Sequence, residues 1–244
     1  VTDVELARHI AEVAGRLLVD LQESGLFDGK ALGQAGDRVA NAFIMEALAA
    51  QRPDDAILSE EEKDNTARLT ASRVWVVDPL DGTREYGEKR TDWAVHIALA
   101  VDGKPAVGAV ALPGLGQTLC SGQTPEMPAT PAKLRMLVSR TRPAAEAVAV
   151  AEALGADLVP MGSAGAKAMA VLRGEADIYL HSGGQYEWDN CAPAAVALAA
   201  GLHVSRIDGS ALLYNQADTY LPDILICPKV LAPKVMELLK KPLF

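Results

Sequence analysis

Two aspartates three residues apart, Asp78 and Asp81, flank a proline and are followed at once by Gly82 and Thr83, directly after the apolar run Val74 to Val77. A strand that ends this way projects hard oxygen ligands from its C-terminal tip, and the glycine lets the backbone come close to a ligand. Oxygen-only ligation suits magnesium, which takes one or two carboxylates plus substrate phosphate oxygens. A simple turn would need only some of these residues. The chemistry announced is therefore that of a magnesium–phosphate site. Further acidic groups are available to it: Asp37, the run Glu60-Glu61-Glu62, and Asp189 ahead of an alanine-rich stretch. Each has a plainer reading. Asp37 and Asp189 stand where an N-cap would satisfy the free N–H groups of a following helix. Glu61 and Glu62 read as a solvated face, as charge runs usually are.

The elements that must carry these groups follow from periodicity. Val4 to Leu21 has apolar residues at helical spacing, and so does Asp37 to Ala50, which ends at Arg52-Pro53; the stretch Gly25 to Gly36 between them reads as turn-rich. Ala56 to Leu58 is a short strand running into the acidic cluster, and Val74 to Val77 is the next. Trp93 to Val101 and Pro105 to Leu112 are β-rich runs joined at Asp102-Gly103, a hairpin signal. Thr118 to Ser121 adds another strand. Gly122 to Lys133 holds three prolines and is the best internal boundary. We divide the chain there, into an α+β part over 1–127 with most of the acidic groups and an α/β part over 128–244 with Asp189. Strands are expected at 134–138, 158–160, 176–180 and 224–227, and helices at 143–154, 164–172, 192–200 and 228–239. The two textures together fit a layered α-β-α-β-α sandwich, α+β in its first half and α/β in its second.

Bulk properties narrow the function classes. Half of the 244 residues are hydrophobic, so the chain has the means to build a substantial core. The balance of 23 basic and 32 acidic residues, a net charge of -9, with no basic block, argues against a nucleic-acid polymer as partner. A small anionic ligand remains compatible, because bound cations invert the local field. Cys120, Cys191 and Cys227 share no metal-type spacing and read as reduced apolar residues of a cytoplasmic protein. The amphipathic, charged start is unlike a signal peptide, and no apolar run reaches membrane-spanning length. His96 sits in a β run and reads as structural.

Asp78 to Thr83 resembles the signature of the lithium-sensitive, magnesium-dependent phosphomonoesterases, the superfamily of the inositol monophosphatases. Leu58-Ser59-Glu60-Glu61 resembles the family's small-Glu-Glu element, and Trp188-Asp189-Asn190-Cys191-Ala192 its Trp-Asp-x-x-Ala element. The resemblance implies the α-β-α-β-α sandwich and two to three magnesium ions. It implies that Glu60, Asp78 and the Leu80 carbonyl bind the first ion. Asp78 then bridges to a second held by Asp81 and Asp189, with Glu60 touching a weaker third. Thr83, paired with Asp37, is implied to orient the attacking water, with Gly82 and Thr83 N–H groups on the phosphate. The family usually has a Thr three residues before this Asp, where Gln34 stands here. Water then attacks phosphorus directly, with no phospho-enzyme and no cysteine or histidine nucleophile. Lithium inhibition is a further implication.

Within that superfamily the chain is most similar to the CysQ-type bisphosphate nucleotidases, which release the 3′-phosphate of 3′-phosphoadenosine 5′-phosphate during sulfate assimilation. Ser59 replaces a glycine common in inositol monophosphatases. Gly162-Ser163 with Lys167, and Ser139-Arg140-Thr141-Arg142, resemble nucleotidase elements, the last with Arg142 where His is usual. Lys167 and Arg140 are implied to meet a second phosphate, with Ser139, Ser163 and Asp189 also lining the substrate. Composition alone makes Lys167 a solvent-facing helix lysine and Ser163 a helix cap. Inositol monophosphatases place an acidic, polyol-contacting residue where Ser182 stands. Tyr186 either stacks on a base or fills a rim. The expected partner is a small phosphate ester, with a homodimer left open. A broad inositol or sugar phosphatase is the alternative, and a catalytically idle nucleotide sensor a third reading.

Overall fold

The computed structural model describes residues 1–127 and 129–240. The chain opens with two long helices, α1 (Asp3–Glu23) and α2 (Gly29–Gln51). Strands β1 (Ala56–Ser59) and β2 (Arg73–Asp81) follow, then the short α3 (Thr83–Gly87), then β3 (Ala94–Val101), β4 (Lys104–Leu112) and β5 (Gln117–Cys120). These five strands form one sheet in sequence order, with β1 and β2 parallel and every other pair antiparallel. Asp102 and Gly103 both take positive φ, 48° and 73°, as the two central residues of a tight hairpin turn require.

The second sheet is mixed, in the order β7 (Asp157–Met161), β6 (Arg135–Ser139), β8 (Ile178–His181), β10 (Ile224–Cys227), β9 (His203–Ser205). Four helices accompany it: α4 (Ala145–Leu154), α5 (Ala164–Leu172), α6 (Glu187–Ala199) and α7 (Ala232–Leu239).

Strand alternation assigns the layers. Trp75, Val77, Val95, Ile97 and Leu99 point from the first sheet to Leu18, Leu32, Ile44 and Leu48 of α1 and α2. Val74, Val76, Ala94, Ala98 and Val110 point the other way, into a core shared with Met169, Cys191, Val196, Tyr179 and Ile226. Met136, Val138, Ile178 and Leu225 face α4 and α7. The layers are thus α1/α2, first sheet, α5/α6, second sheet, α4/α7, the α-β-α-β-α sandwich. Because α5 and α6 are covered by a sheet on each side, they are apolar nearly all round: every residue of α5 is buried.

Several elements differ from the sequence reading: α3 is not among the expected helices, and α7 begins at Ala232 where a helix from 228 is expected. The stretch from Gly29 to Gly36 is the first part of α2, not a turn. Two of its glycines are there for contact: a Cβ on Gly33 would lie 2.7 Å from Thr83 Cγ2, and one on Gly36 2.8 Å from the Tyr86 ring. Asp37 is therefore inside a helix and caps nothing. Helix α6 begins five residues before the expected Ala192, so Asp189 is in its first turn. The strand β9 carried no sequence signal.

Candidate active site

The Asp78–Asp81 pair is built by a β-bulge. Asp78 pairs with His96 and Asp81 with Ala94, so three steps along β2 oppose two along β3. In a regular strand residues three apart face opposite sides. The extra residue brings both carboxylates to the side of His96 and Ala94, which is the side facing α6. Pro79 sits inside the bulge, where its missing N–H costs no ladder bond. Gly82 then turns the chain at φ 90°, in the left-handed region, and Thr83 opens α3.

The first turn of α6 completes the group. One oxygen from each of Asp78, Asp81 and Asp189 lies within 4.8 Å of the others. Asp78 is 1% and Asp81 7% exposed. Asp189 is the third residue of α6 and not its N-cap, which is Tyr186; one of its oxygens reaches back to accept the Tyr186 N–H at 2.7 Å while the residue faces two other carboxylates. Glu60 follows β1, which runs parallel to β2, and its carboxyl end approaches Asp78. Leu80 donates its N–H to Asp78 Oδ1 at 3.0 Å, and its carbonyl accepts from the Thr83 hydroxyl at 3.2 Å. The Thr83 hydroxyl is also 3.3 Å from Asp37 Oδ1, so the pair expected from the sequence meets with Gln34 one turn upstream.

The charges in this group are unstable without cations. Glu60 is exposed as a residue, but loss of water around its carboxyl end, and then Asp189, push that carboxyl up to about 7. Burial and then Asp81 push Asp189 up to about 7. Burial followed by Glu60 raises Asp78 well above the usual carboxylate range. Burial and the nearby Glu61 bring Asp37 to about 7, partly offset by the Thr83 hydrogen bond. Asp81 is the exception. Burial works to raise it, but His96, the Ser163 hydroxyl and the Gly165 N–H more than offset that and hold it low. Four crowded carboxyls that take up protons when alone are what a divalent, oxygen-seeking cation replaces those protons at. The donor set thus fits a hard metal ion.

Several residues that shape this group had no sequence signal. His96 is fully buried, with Nε2 3.2 Å from Asp81 Oδ2 and Nδ1 3.1 Å from the Trp188 carbonyl. Burial works to lower its pKa, but Asp81 more than offsets that, and the ring ties Asp81 to the start of α6. Gly165, whose N–H reaches the same Asp81 oxygen at 2.7 Å, must lack a side chain because a Cβ would overlap the His96 ring. Asn41 of α2 accepts from Ser59 at 2.8 Å and donates to Glu62 at 2.7 Å, fixing the segment that carries Glu60. Glu61 and Glu62 are both exposed, as a solvated face would be, and Glu62 is in addition held by Asn41.

The residues expected to meet substrate are placed unevenly. Ser163 is both cap and ligand holder: it accepts from Ala166 N–H at 2.9 Å and donates to Asp81. Lys167 is not solvent-facing. It is 4% exposed, and its amine donates to the carbonyls of Ser163, Gly162 and Met161 at 2.6, 3.1 and 3.5 Å. Burial lowers its pKa to about 8. The Arg140 guanidinium is engaged by Glu85 at 2.7 Å and Glu88 at 2.6 Å. Ser139 accepts the Arg142 N–H at 3.2 Å, and the Arg142 side chain is exposed with one bond, to the Gly183 carbonyl. Ser182 donates to Glu146 of α4 at 2.6 Å, so a carboxylate stands beside the position where one was missing.

A model of the inositol monophosphatase family matches residues 3–241. The chain belongs to the inositol monophosphatase family. Among curated family members, it is 48% identical to the 3′-phosphoadenosine 5′-phosphate phosphatase of Mycobacterium leprae, over 98% of this chain and 94% of that protein. It is 32% identical to the 3′(2′),5′-bisphosphate nucleotidase CysQ of Escherichia coli, over 77% of this chain and 81% of that one. The family fold is shared with inositol monophosphatase II of Staphylococcus aureus, at TM-score 0.81 and 20% identity over 97% of this chain and 95% of that one.

Proposed function

We propose that this protein is a magnesium-dependent phosphatase that hydrolyses the 3′-phosphate of 3′-phosphoadenosine 5′-phosphate to AMP and phosphate, in sulfate assimilation. The observation that carries the reading is the meeting of Asp78, Asp81 and Asp189 within 4.8 Å, beside the Thr83–Asp37 pair. The names of the similar curated proteins support the choice of ester. Glu60, Asp78, the Leu80 carbonyl, Asp81 and Asp189 would hold two ions, with a weaker third near Glu60, and bound ions would supply Lewis-acid activation of water and charge compensation on the phosphoryl oxygens. Asp37, with its raised pKa, takes the proton that the Thr83 hydroxyl relays from the attacking water, since its own acceptor is within reach of that hydroxyl. The N–H groups of Gly82 and Thr83 meet the phosphate. Arg142, with donors left over, is better placed than Arg140 or Lys167 to meet a second phosphate. Lys167 and Ser163 act by holding the 161–163 segment against Asp81. The three cysteines are buried and free, which fits a reducing cytoplasm. Among the described residues no helix is long and apolar enough to cross a membrane.

A second reading, broad action on inositol or sugar phosphates, is favoured by Glu146, which restores a hydroxyl-accepting carboxylate at Ser182. Phosphate release from the bisphosphate nucleotide and from inositol 1-phosphate, measured side by side with magnesium, decides between them. The proposal expects a large preference for the nucleotide, and a large preference for the inositol ester would overturn it.

A further inference from the structure

Aromatic residues are scarce in this chain, at 5%, and the large ones are mostly interior: Trp75, Trp93, Tyr86, Tyr179 and Tyr214 are fully buried. Among the described residues three aromatic side chains stand out as exposed, Phe27, Tyr186 and Tyr220. Two of these touch each other beside the carboxylate group. Tyr186 and Tyr220 meet edge to face at 5.5 Å and 72°. The ring of Tyr186 is stacked on that of Trp188, with centroids 5.1 Å apart and planes 9° from parallel. Tyr186 nevertheless remains 41% exposed and Tyr220 46%.

This surface is held rather than loose. Tyr186 and Tyr220 form a backbone bridge, Glu187 N–H donates to the Thr219 carbonyl at 2.9 Å, and Gly184 N–H donates to the Tyr220 hydroxyl at 3.2 Å. It also adjoins the reacting centre, because the Tyr186 N–H is the donor to Asp189 Oδ2. The guanidinium of Arg142 lies against Gly184, on the same loop. Rigid, pre-ordered aromatic rings with an open face are how proteins hold a nucleobase at low entropic cost.

We infer that the Tyr186–Trp188 stack, edged by Tyr220, is the base-binding subsite, taking a purine ring on the open face of Tyr186 while the ester phosphate lies at the carboxylates. The inference rests on the proposed nucleotide reaction for its biological sense, but it concerns binding and is tested without turnover. Trp188 is the half-exposed tryptophan, with Trp75 and Trp93 buried, so its emission reports ligand at this place. Titrate AMP and ribose 5-phosphate into the magnesium-loaded protein and follow that emission, with inorganic-phosphate competition as an independent readout of affinity. AMP should bind at least tenfold more tightly than ribose 5-phosphate. Tyr186→Ala should cost AMP about five- to 150-fold, the range of a single aromatic–base stack, and should remove most of the difference between the two ligands. Tyr186→Phe should restore it, which a loss of fold would not. Equal affinities in the parent protein, or an AMP affinity unmoved by Tyr186→Ala, would overturn the inference. Failure of the parent to release phosphate from the bisphosphate nucleotide would instead strike the proposed reaction and leave this binding comparison to stand or fall by itself.

Discussion

Replacing Asp189 with Asn separates its two possible roles. Asn is nearly isosteric and still accepts the Tyr186 N–H, so the start of α6 is preserved. What disappears is one negative charge from the group formed with Asp78 and Asp81. The Asp189 carboxyl moves from an ordinary 3.8 to about 7, chiefly through burial and then Asp81. A carboxyl raised in this way weakens the fold. The penalty is absent below 3.8, grows as pH rises to about 7, and is constant above that. A shift of about three units, at about 1.36 kcal/mol each, caps the penalty at about 4 kcal/mol. Sharing of protons among the neighbouring carboxyls reduces this to about 1–2 kcal/mol. A chain of this size gains about 2–4 °C per kcal/mol, so the metal-free variant should melt roughly 2–8 °C above the parent at pH 8. Its magnesium-induced rise in Tm should largely vanish, along with turnover. Scanning fluorimetry of both proteins in EDTA and in magnesium gives all four values. A variant that melts lower without metal, yet gains as much from magnesium as the parent, would refute the reasoning and leave Asp189 an ordinary helix-start residue.

Other outcomes follow from the same contacts. Glu60 and Asp189 hold protons near pH 7 in the absence of ions, so magnesium binding at pH 7 should release protons and weaken as pH falls below about 7. Calorimetry in two buffers of different ionisation enthalpy checks this, and buffer-independent heats at pH 7 would contradict it. Gly33→Ala drives a Cβ to 2.7 Å from Thr83 Cγ2 and 3.1 Å from its carbonyl. It should cost about 1–3 kcal/mol of stability, and at least about tenfold in kcat, as expected of a displaced positioning group; an unchanged kcat would detach Thr83 from catalysis. Lys167→Met should lower Tm by removing the donor to three carbonyls, a loss of about 2–4 kcal/mol. A rise in KM with Tm unchanged would make Lys167 a plain phosphate ligand.

Local signals in the sequence carried the parts of the fold that are locally determined. Asp102-Gly103 marks its hairpin because only residues tolerant of positive φ serve there, and Ala164 to Leu172 reads as a helix end to end. The clustering of Asp78, Asp81 and Asp189 was legible because these residues sit in compact motifs. What was not legible depends on contacts between distant segments. Gly33 and Gly36 look like turn residues until Thr83 and Tyr86 are placed against them. The burial of Lys167 follows from α5 lying between two sheets, and helix composition alone points the other way. His96 joins Asp81 to the carbonyl of Trp188, which lies 92 positions beyond the histidine, a span no periodicity reports. Arg140 reads as a phosphate ligand until Glu85 and Glu88 close on it.

Segments far apart in the chain bring their carboxylates together where a divalent cation would replace the protons that Glu60, Asp78 and Asp189 otherwise take up. Anomalous diffraction from crystals grown with manganese in place of magnesium tests this most directly. The account predicts strong peaks bounded by Asp78, Asp81 and Asp189, with Glu60 on the Asp78 side. A map with manganese only at scattered surface acids, and none among these residues, would contradict it.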